Sequence, residues 1–233
     1  MVNLFDEQTA VNYEVGYSSG YDHEFPNENI VRLERGYFKT GNGNVLDYGF
    51  GFGANSIYLA EKGYSVFGID VAPSSIDLTQ KKLEKKPLLK NKINLQIFDK
   101  ENSKSLPFED SFFDFILCNQ TLYHLGSIEK INFLLDEFLR VLKPDGKIIV
   151  TLLGPKNTLC QEGTKIQENI FEYVDKTKSL KPKPMRVYVF KNEEHIETIF
   201  HKFNIDEIGW WDNNYFDING FHYVVLCRKP SDS

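Results

Sequence analysis

Cysteine is scarce. The 233 residues hold three, Cys118, Cys160 and Cys227. They form neither a paired framework nor a metal-binding spacing, which excludes a disulfide scaffold and a cysteine-rich zinc module. Cys118 and Cys227 fall in apolar runs that read as strands, where a thiol behaves as a small buried hydrophobe. Positive charge is in deficit too. Lys and Arg total 27 against 33 Asp and Glu, for a net charge of −6. Nonspecific nucleic-acid binding needs lysines and arginines along a groove, so no nucleic-acid partner is expected. One basic cluster exists, Lys81, Lys82, Lys85, Lys86, Lys90 and Lys92. It lacks interleaved aromatics to stack bases and reads as a solvated helix face with the loop after it. No apolar run reaches the roughly 18 residues of a membrane span. The opening, Met1 to Glu7, lacks the basic and apolar regions of a signal peptide. The expected location is the cytoplasm, with no membrane partner. Internal repeats and low-complexity tracts are also missing.

What is present suits one sizeable core, with 41% hydrophobic and 14% aromatic residues. The most informative segment is Val45-Leu46-Asp47-Tyr48-Gly49-Phe50-Gly51-Phe52-Gly53. An apolar start and one acid lead into three glycines at alternate positions. A helical pattern (54–62) follows, then a second apolar run ending in Asp70. Strand, tight turn and helix N-terminus in that order make a nucleoside site, with glycines where a ligand or backbone must come close. Gly49-x-Gly51-x-x-Ala54 also fits the dinucleotide fingerprint. Asp47 discriminates. A pyrophosphate at this helix N-terminus would be repelled by a carboxylate two residues before the first glycine. S-adenosylmethionine carries an ammonium and a sulfonium and no phosphate, so the same carboxylate attracts it.

Asp47-x-Gly49-x-Gly51-x-Gly53 resembles the first motif of class I S-adenosylmethionine-dependent methyltransferases, and further landmarks follow in that family's order. Asp70 ends the second strand and Asp99 a third apolar run, 93–98. Leu106-Pro107-Phe108 and Ser111-Phe112-Phe113-Asp114 lead into a fourth strand ending at Asn119, with Gln120 to Leu125 after it. Leu142-Lys143-Pro144-Asp145-Gly146 turns into a fifth. The resemblance covers residues 43 to 153. It implies an enzyme with S-adenosylmethionine as cofactor and S-adenosylhomocysteine as product. By position, Asp47, Tyr48, Gly49, Phe50, Gly51 and Gly53 approach the methionyl part. Asp70 holds the ribose hydroxyls with Val71 against the adenine. Asp99 accepts from the adenine amino group beside Lys100, unless Glu101 does so instead. Asn119 and Gln120 lie near the reactive methyl.

The implied fold is α/β, a Rossmann-like, seven-stranded, mostly parallel sheet with helices on both faces and the last strand antiparallel between the fifth and sixth. Strands are expected at 45–48, 64–69, 93–98, 113–118 and 146–153, with helices at 54–62, 74–85 and 127–142; their Val, Ile, Leu and Phe content, with little alternation, suits a sheet buried on both faces. Residues 1–42 form an N-terminal cap segment, dense in tyrosine, with a helix over 30–38. Residues 154–186 form an insertion or substrate cap with a polar helical stretch at about 161–178. A short strand at 187–190, a helix over 192–203 and strands within 203–211 and over 222–228 complete one domain.

The acceptor is harder to read. A hydroxyl needs proton removal during attack, whereas a neutral amine does not. His124 after the fourth strand and His23 in the N-terminal segment are the base candidates; each is otherwise a histidine that shapes the pocket. Tyr21, Tyr123, Trp211 and Tyr215 are candidate walls of the acceptor site, and ring faces there favour a cationic or planar molecule. Asn119-Gln120-Thr121-Leu122 is not the Asn/Asp-Pro-Pro-Tyr/Phe signature of enzymes that methylate base or glutamine nitrogens, and no acidic metal cluster is evident. The expected acceptor is a small soluble metabolite, with transfer to N or O; a surface-sugar or phosphate-decoration precursor is one option. The rivals are a protein or nucleic-acid methyltransferase, a nicotinamide-dependent dehydrogenase and a non-catalytic cofactor-binding module.

Overall fold

The computed structural model describes residues 7–98, 105–174, 184–215 and 218–231. Its helices are α1 (Glu7–Ser18), α2 (Glu28–Leu33), α3 (Ala54–Lys62), α4 (Ser74–Glu84), α5 (Ile128–Val141), α6 (Thr158–Gln161) and α7 (Glu193–Ile199). The strands are β1 (Asn44–Tyr48), β2 (Ser65–Asp70), β3 (Ile93–Ile97), β4 (Phe113–Cys118), β5 (Leu142–Leu153), β6 (Thr164–Gln167), β7 (Ile170–Tyr173), β8 (Met185–Tyr188), β9 (Asn204–Trp211), β10 (Asn214–Tyr215), β11 (Ile218–Asn219) and β12 (His222–Arg228). Seven of them form the main sheet in the order β3-β2-β1-β4-β5-β12-β9. The pairs from β3 to β5 are parallel; β12 runs antiparallel to both β5 and β9.

Side-chain alternation divides this sheet between two cores. Leu46, Ile116, Cys118, Ile148 and Val150 pack with Ile131, Leu134 and Phe138 of α5. Val45, Phe115, Leu117 and Ile149 turn the other way, onto Ile30, Phe38, Tyr58, Leu59 and Tyr64. Both faces are apolar because both are covered, which is why these strands read as continuous hydrophobic runs. Chain order along the sheet reverses between β1 and β4. In open α/β sheets the crevice beyond the strands' carboxyl ends at such a switch point holds the ligand.

Local chemistry sets the helix boundaries. Gly63 ends α3 with φ 115, its N–H returning to the carbonyls of Leu59 and Ala60. Ser127 caps α5 by accepting from the Lys130 N–H, and Asn27 caps α2 by accepting from the Asn29 N–H. The turn of α4 begins at Pro73 without a side-chain cap of its own; Glu14 of α1 supplies one, accepting the Ser74 N–H at 2.9 Å and its hydroxyl at 2.5 Å.

Three sequence expectations change. The helical stretch at about 161–178 is not there among the described residues: α6 stops at Gln161, and β6, β7 and β8 form a separate antiparallel sheet. Asn169 takes a left-handed φ of 62 in the two-residue turn joining β6 to β7, a hairpin geometry that Asn tolerates. The helix at 30–38 splits into α2 and a wider π-helical turn over Glu34–Phe38. There the buried Glu34 carboxylate accepts hydroxyls from Tyr58 and Tyr64, both at 2.9 Å. Finally, residues 7–18 form a helix, α1, that the sequence pattern does not announce.

Candidate cofactor and acceptor site

A cavity of ≈ 480 Å³ opens at the switch point. Its floor is Tyr48 to Phe52 after β1, Asp70 and Val71 ending β2, Phe98 after β3, and Asn119 to Thr121 after β4. Its roof is the N-terminal segment: Thr9, Ala10, Tyr13 and Tyr17 of α1, then Tyr21, His23 and Phe25 to Asn27.

The glycine turn has its composition for steric reasons. Gly49 sits at φ 75, and a Cβ there would lie 2.3 Å from Thr121 Oγ1. The turns after β1 and β4 therefore touch, and only glycine allows it. Gly51 at φ 56 faces the roof, where a Cβ would come within 2.9 Å of the Tyr17 hydroxyl.

Asp70 is buried and held by backbone. Its Oδ2 accepts the Gly51 N–H at 2.9 Å; its Oδ1 accepts those of Val71 at 2.7 Å and Ala72 at 2.9 Å. Burial raises its pKa, against the pull of these three donors. A carboxylate offers about four acceptor positions, so room for ligand hydroxyls remains. Asp47 lies deeper. It is 1% exposed, accepts the Ser56 hydroxyl at 2.6 Å, and does not line the cavity. Burial pushes its carboxyl up to about 7 from 3.8, with Asp70 adding repulsion and Ser56 opposing. Gly53, the left-handed N-cap of α3, is likewise outside the lining.

The turn after β4 is held from β5. Gln120 has a left-handed φ of 54, and its N–H donates to Thr151 Oγ1 at 2.6 Å. The Thr151 hydroxyl lies 3.4 Å from Asn119 Oδ1. Non-glycine residues in that conformation cost about 1–3 kcal/mol and cluster at functional sites. His124 follows in a 3-10 turn over Leu122–Leu125 and lines the cavity; its Nε2 lies 2.9 Å from the Tyr13 hydroxyl. His23 also lines the cavity, its ring 5.4 Å from Tyr21 and 5.0 Å from Phe52.

Of the candidate wall residues whose side chains are described, Tyr21 lines the cavity and Tyr123 and Trp211 do not. Tyr123 is buried behind it, against the His124 ring at 4.4 Å, with its hydroxyl 3.5 Å from His222 Nε2. Trp211 packs on His222 from β9, 5.8 Å between ring centroids. Tyr215 lies in β10, and its side chain is outside the described residues, as are Asp99, Lys100 and Glu101. The sequence reading missed Tyr13 and Tyr17 as site residues. Their signal was a four-residue spacing, 13, 17 and 21, which puts tyrosines on one helical face.

The arrangement fits a cationic nucleoside better than a dinucleotide. Among the described lining residues Asp70 is the one acid, and none is Lys or Arg, so a pyrophosphate finds no countercharge. No group of three His, Cys, Asp or Glu that could hold a metal ion occurs among the described residues, nor a helix long and apolar enough to cross a membrane.

Known proteins agree with this geometry. Residues 46–150 match a family model described as a methyltransferase domain. Phosphoethanolamine N-methyltransferase 2 of Caenorhabditis elegans is 29% identical over 137 residues, 58% of this chain and 28% of that protein. The chain's matches span less than half the length of the first curated relatives. Among solved structures, a SAM-dependent methyltransferase from Methanosarcina mazei has a TM-score of 0.68 at 24% identity, over 82% of this chain and 94% of that one. The N-methyltransferase NodS from Bradyrhizobium japonicum, in complex with S-adenosylhomocysteine, has a TM-score of 0.65 at 18% identity, over 96% and 100%. Residues 46–150 are therefore similar to a methyltransferase domain, and the seven-stranded sheet that carries them has the fold of these solved structures.

Proposed function

We propose that this chain transfers a methyl group from S-adenosylmethionine to a nitrogen or oxygen of a small molecule in the cytoplasm. One observation carries the reading: a single cavity joins the glycine turn and Asp70 to the turn bearing Asn119, Gln120 and His124, under an aromatic roof. Gly49 to Gly51, Asp70 and Val71 are the residues to hold the cofactor, whose sulfonium supplies an already activated methyl group. The rest of the work is positioning and exclusion of water. The roof provides the exclusion, and Tyr13 and His124 face the acceptor together. For a hydroxyl acceptor, the Tyr13 hydroxyl bonded to His124 Nε2 takes the acceptor's proton as it passes its own to that nitrogen. For a neutral amine the pair need only orient the nitrogen. Because no described lining residue is Lys or Arg, an uncharged or cationic acceptor is favoured over the phosphate-bearing one considered from sequence.

The test is a calorimetric titration with S-adenosylhomocysteine, with NAD in parallel. Saturable binding of the first alone is expected. Binding of NAD alone would move the chain to the dehydrogenases, and binding of neither would count against both.

A further inference from the structure

We infer that Lys82 is a positioning residue that fastens the N-terminal cap over the glycine turn and so sets how long a ligand stays in the cavity. The inference rests on the cavity being the cofactor site. From sequence, Lys82 is one of six lysines on a solvated face, and Lys81, Lys85, Lys86 and Lys90 are exposed as that reading requires. Lys82 is not. Its side chain is 16% exposed, and its ammonium reaches three acceptors. Two belong to the cap, Asp22 Oδ1 at 2.5 Å and the His23 carbonyl at 2.8 Å. The third is the Phe52 carbonyl of the glycine turn, at 2.7 Å. An ammonium has three N–H donors, and all three are used. The same nitrogen lies 5.1 Å from the centre of the Phe52 ring, a cation–π distance.

These contacts matter because of what hangs between them. Residues 20–26 carry Tyr21, His23 and Phe25 over the cavity, and they contain no helix or strand. Beyond them the segment is tied at Asn27, whose N–H donates to Asn55 Oδ1 at 3.1 Å. Before them α1 is tied to Ser74 through Glu14. Lys82 is the midpoint tie, binding the cap and the cofactor turn through one charged group. A cofactor held beneath Tyr17 and Tyr21 leaves when this segment lifts. Breaking the Lys82 contacts removes resistance to that movement while leaving the residues that touch the ligand in place.

The experiment uses the full chain with Lys82→Met, Lys82→Arg and Asp22→Ala. Release of S-adenosylhomocysteine is followed by stopped flow, and amide hydrogen exchange is read on the ligand-free proteins. Lys82→Met should release the ligand about tenfold faster, as expected for loss of charge-assisted contacts. Lys82→Arg should recover part of the effect, and Asp22→Ala, which cuts the same tie from the exposed side, should shift release in the same direction. Exchange should rise in residues 20–27 of Lys82→Met and stay low in 44–70. Wild-type release together with wild-type exchange in 20–27 would overturn the proposal. A wild-type protein that fails to bind S-adenosylhomocysteine would sink the cofactor reading and the dwell-time claim with it, while exchange still decides whether Lys82 fastens the cap.

Discussion

At the scale of single residues, the buried carboxylates set a pH dependence. Asp47 keeps its proton to about pH 7 in the folded chain, against an ordinary value of 3.8. Between those values the folded form binds more protons than the unfolded chain, so stability falls as pH rises and levels off above about 7. Asp70 is shifted the same way, by burial first. Asp47→Asn has no charge to bury and can still accept from Ser56. Denaturant unfolding at pH 5 and pH 8 should therefore show the variant gaining on wild type at the higher pH. An unchanged difference between the two pH values would mean that Asp47 is ionised throughout.

His124 makes a different kind of prediction. It lines the cavity beside Tyr13 and lies apart from the Asp70 carboxylate network. If it takes the acceptor's proton through Tyr13, His124→Asn should lower kcat by about 10²–10⁴, the usual range for a general acid or base, with little change in S-adenosylhomocysteine affinity. Equal turnover would leave it a pocket-shaping role.

At the scale of elements, α4 carries the cap as well as the sheet. Glu14 takes the place of the N-cap side chain that α4 lacks at Pro73, and so joins two helices with one carboxylate. Glu14→Ala should cost about 0.5–2 kcal/mol, the usual cost of losing a cap, measured by chemical denaturation. A midpoint equal to wild type would show that water replaces the carboxylate without loss. The helix also explains why α1 escaped the sequence pattern. Its buried positions are Thr9, Ala10, Asn12, Gly16 and Tyr17, while Val11 and Val15 are exposed. A helix whose inner face lines a cavity has no reason to carry a continuous apolar stripe, and periodicity detects only that stripe. The insertion was misread for a related reason. The four residues of β6 are all exposed, so Thr164 to Gln167 lack the half-buried alternation that marks a strand.

At the scale of the whole molecule, legibility follows burial. Residues 45–153 could be read because the central strands β1, β4 and β5 fill two cores at once, which forces Val, Ile, Leu and Phe into nearly continuous runs. The landmarks Gly49, Asp70 and Asn119 stood out because the turns after successive strands meet in space, and each meeting restricts the residue type. The roof could not be read, because its partners are 28 to 111 positions away and no local pattern records them: Tyr13 with His124, Asp22 with Lys82, Asn27 with Asn55. Tyr123 and Trp211 were singled out as aromatic walls but stand behind the lining, against His222. Residue type suggested a wall; only the register of β12 against β9, which pairs His222 with Trp211, puts them one layer back.

That register has a consequence for how the chain is made. Among the described residues β9 pairs with β12 and with no other strand, and β12 also fills the edge of β5. Synthesis delivers β5 first, β9 next and β12 afterwards. Until β12 leaves the ribosome, the open backbone edge of β5 has no neighbour and β9 has nothing to join. Two unpaired strand edges thus wait together on a nascent chain whose parallel half can already be folded, and a single segment closes both.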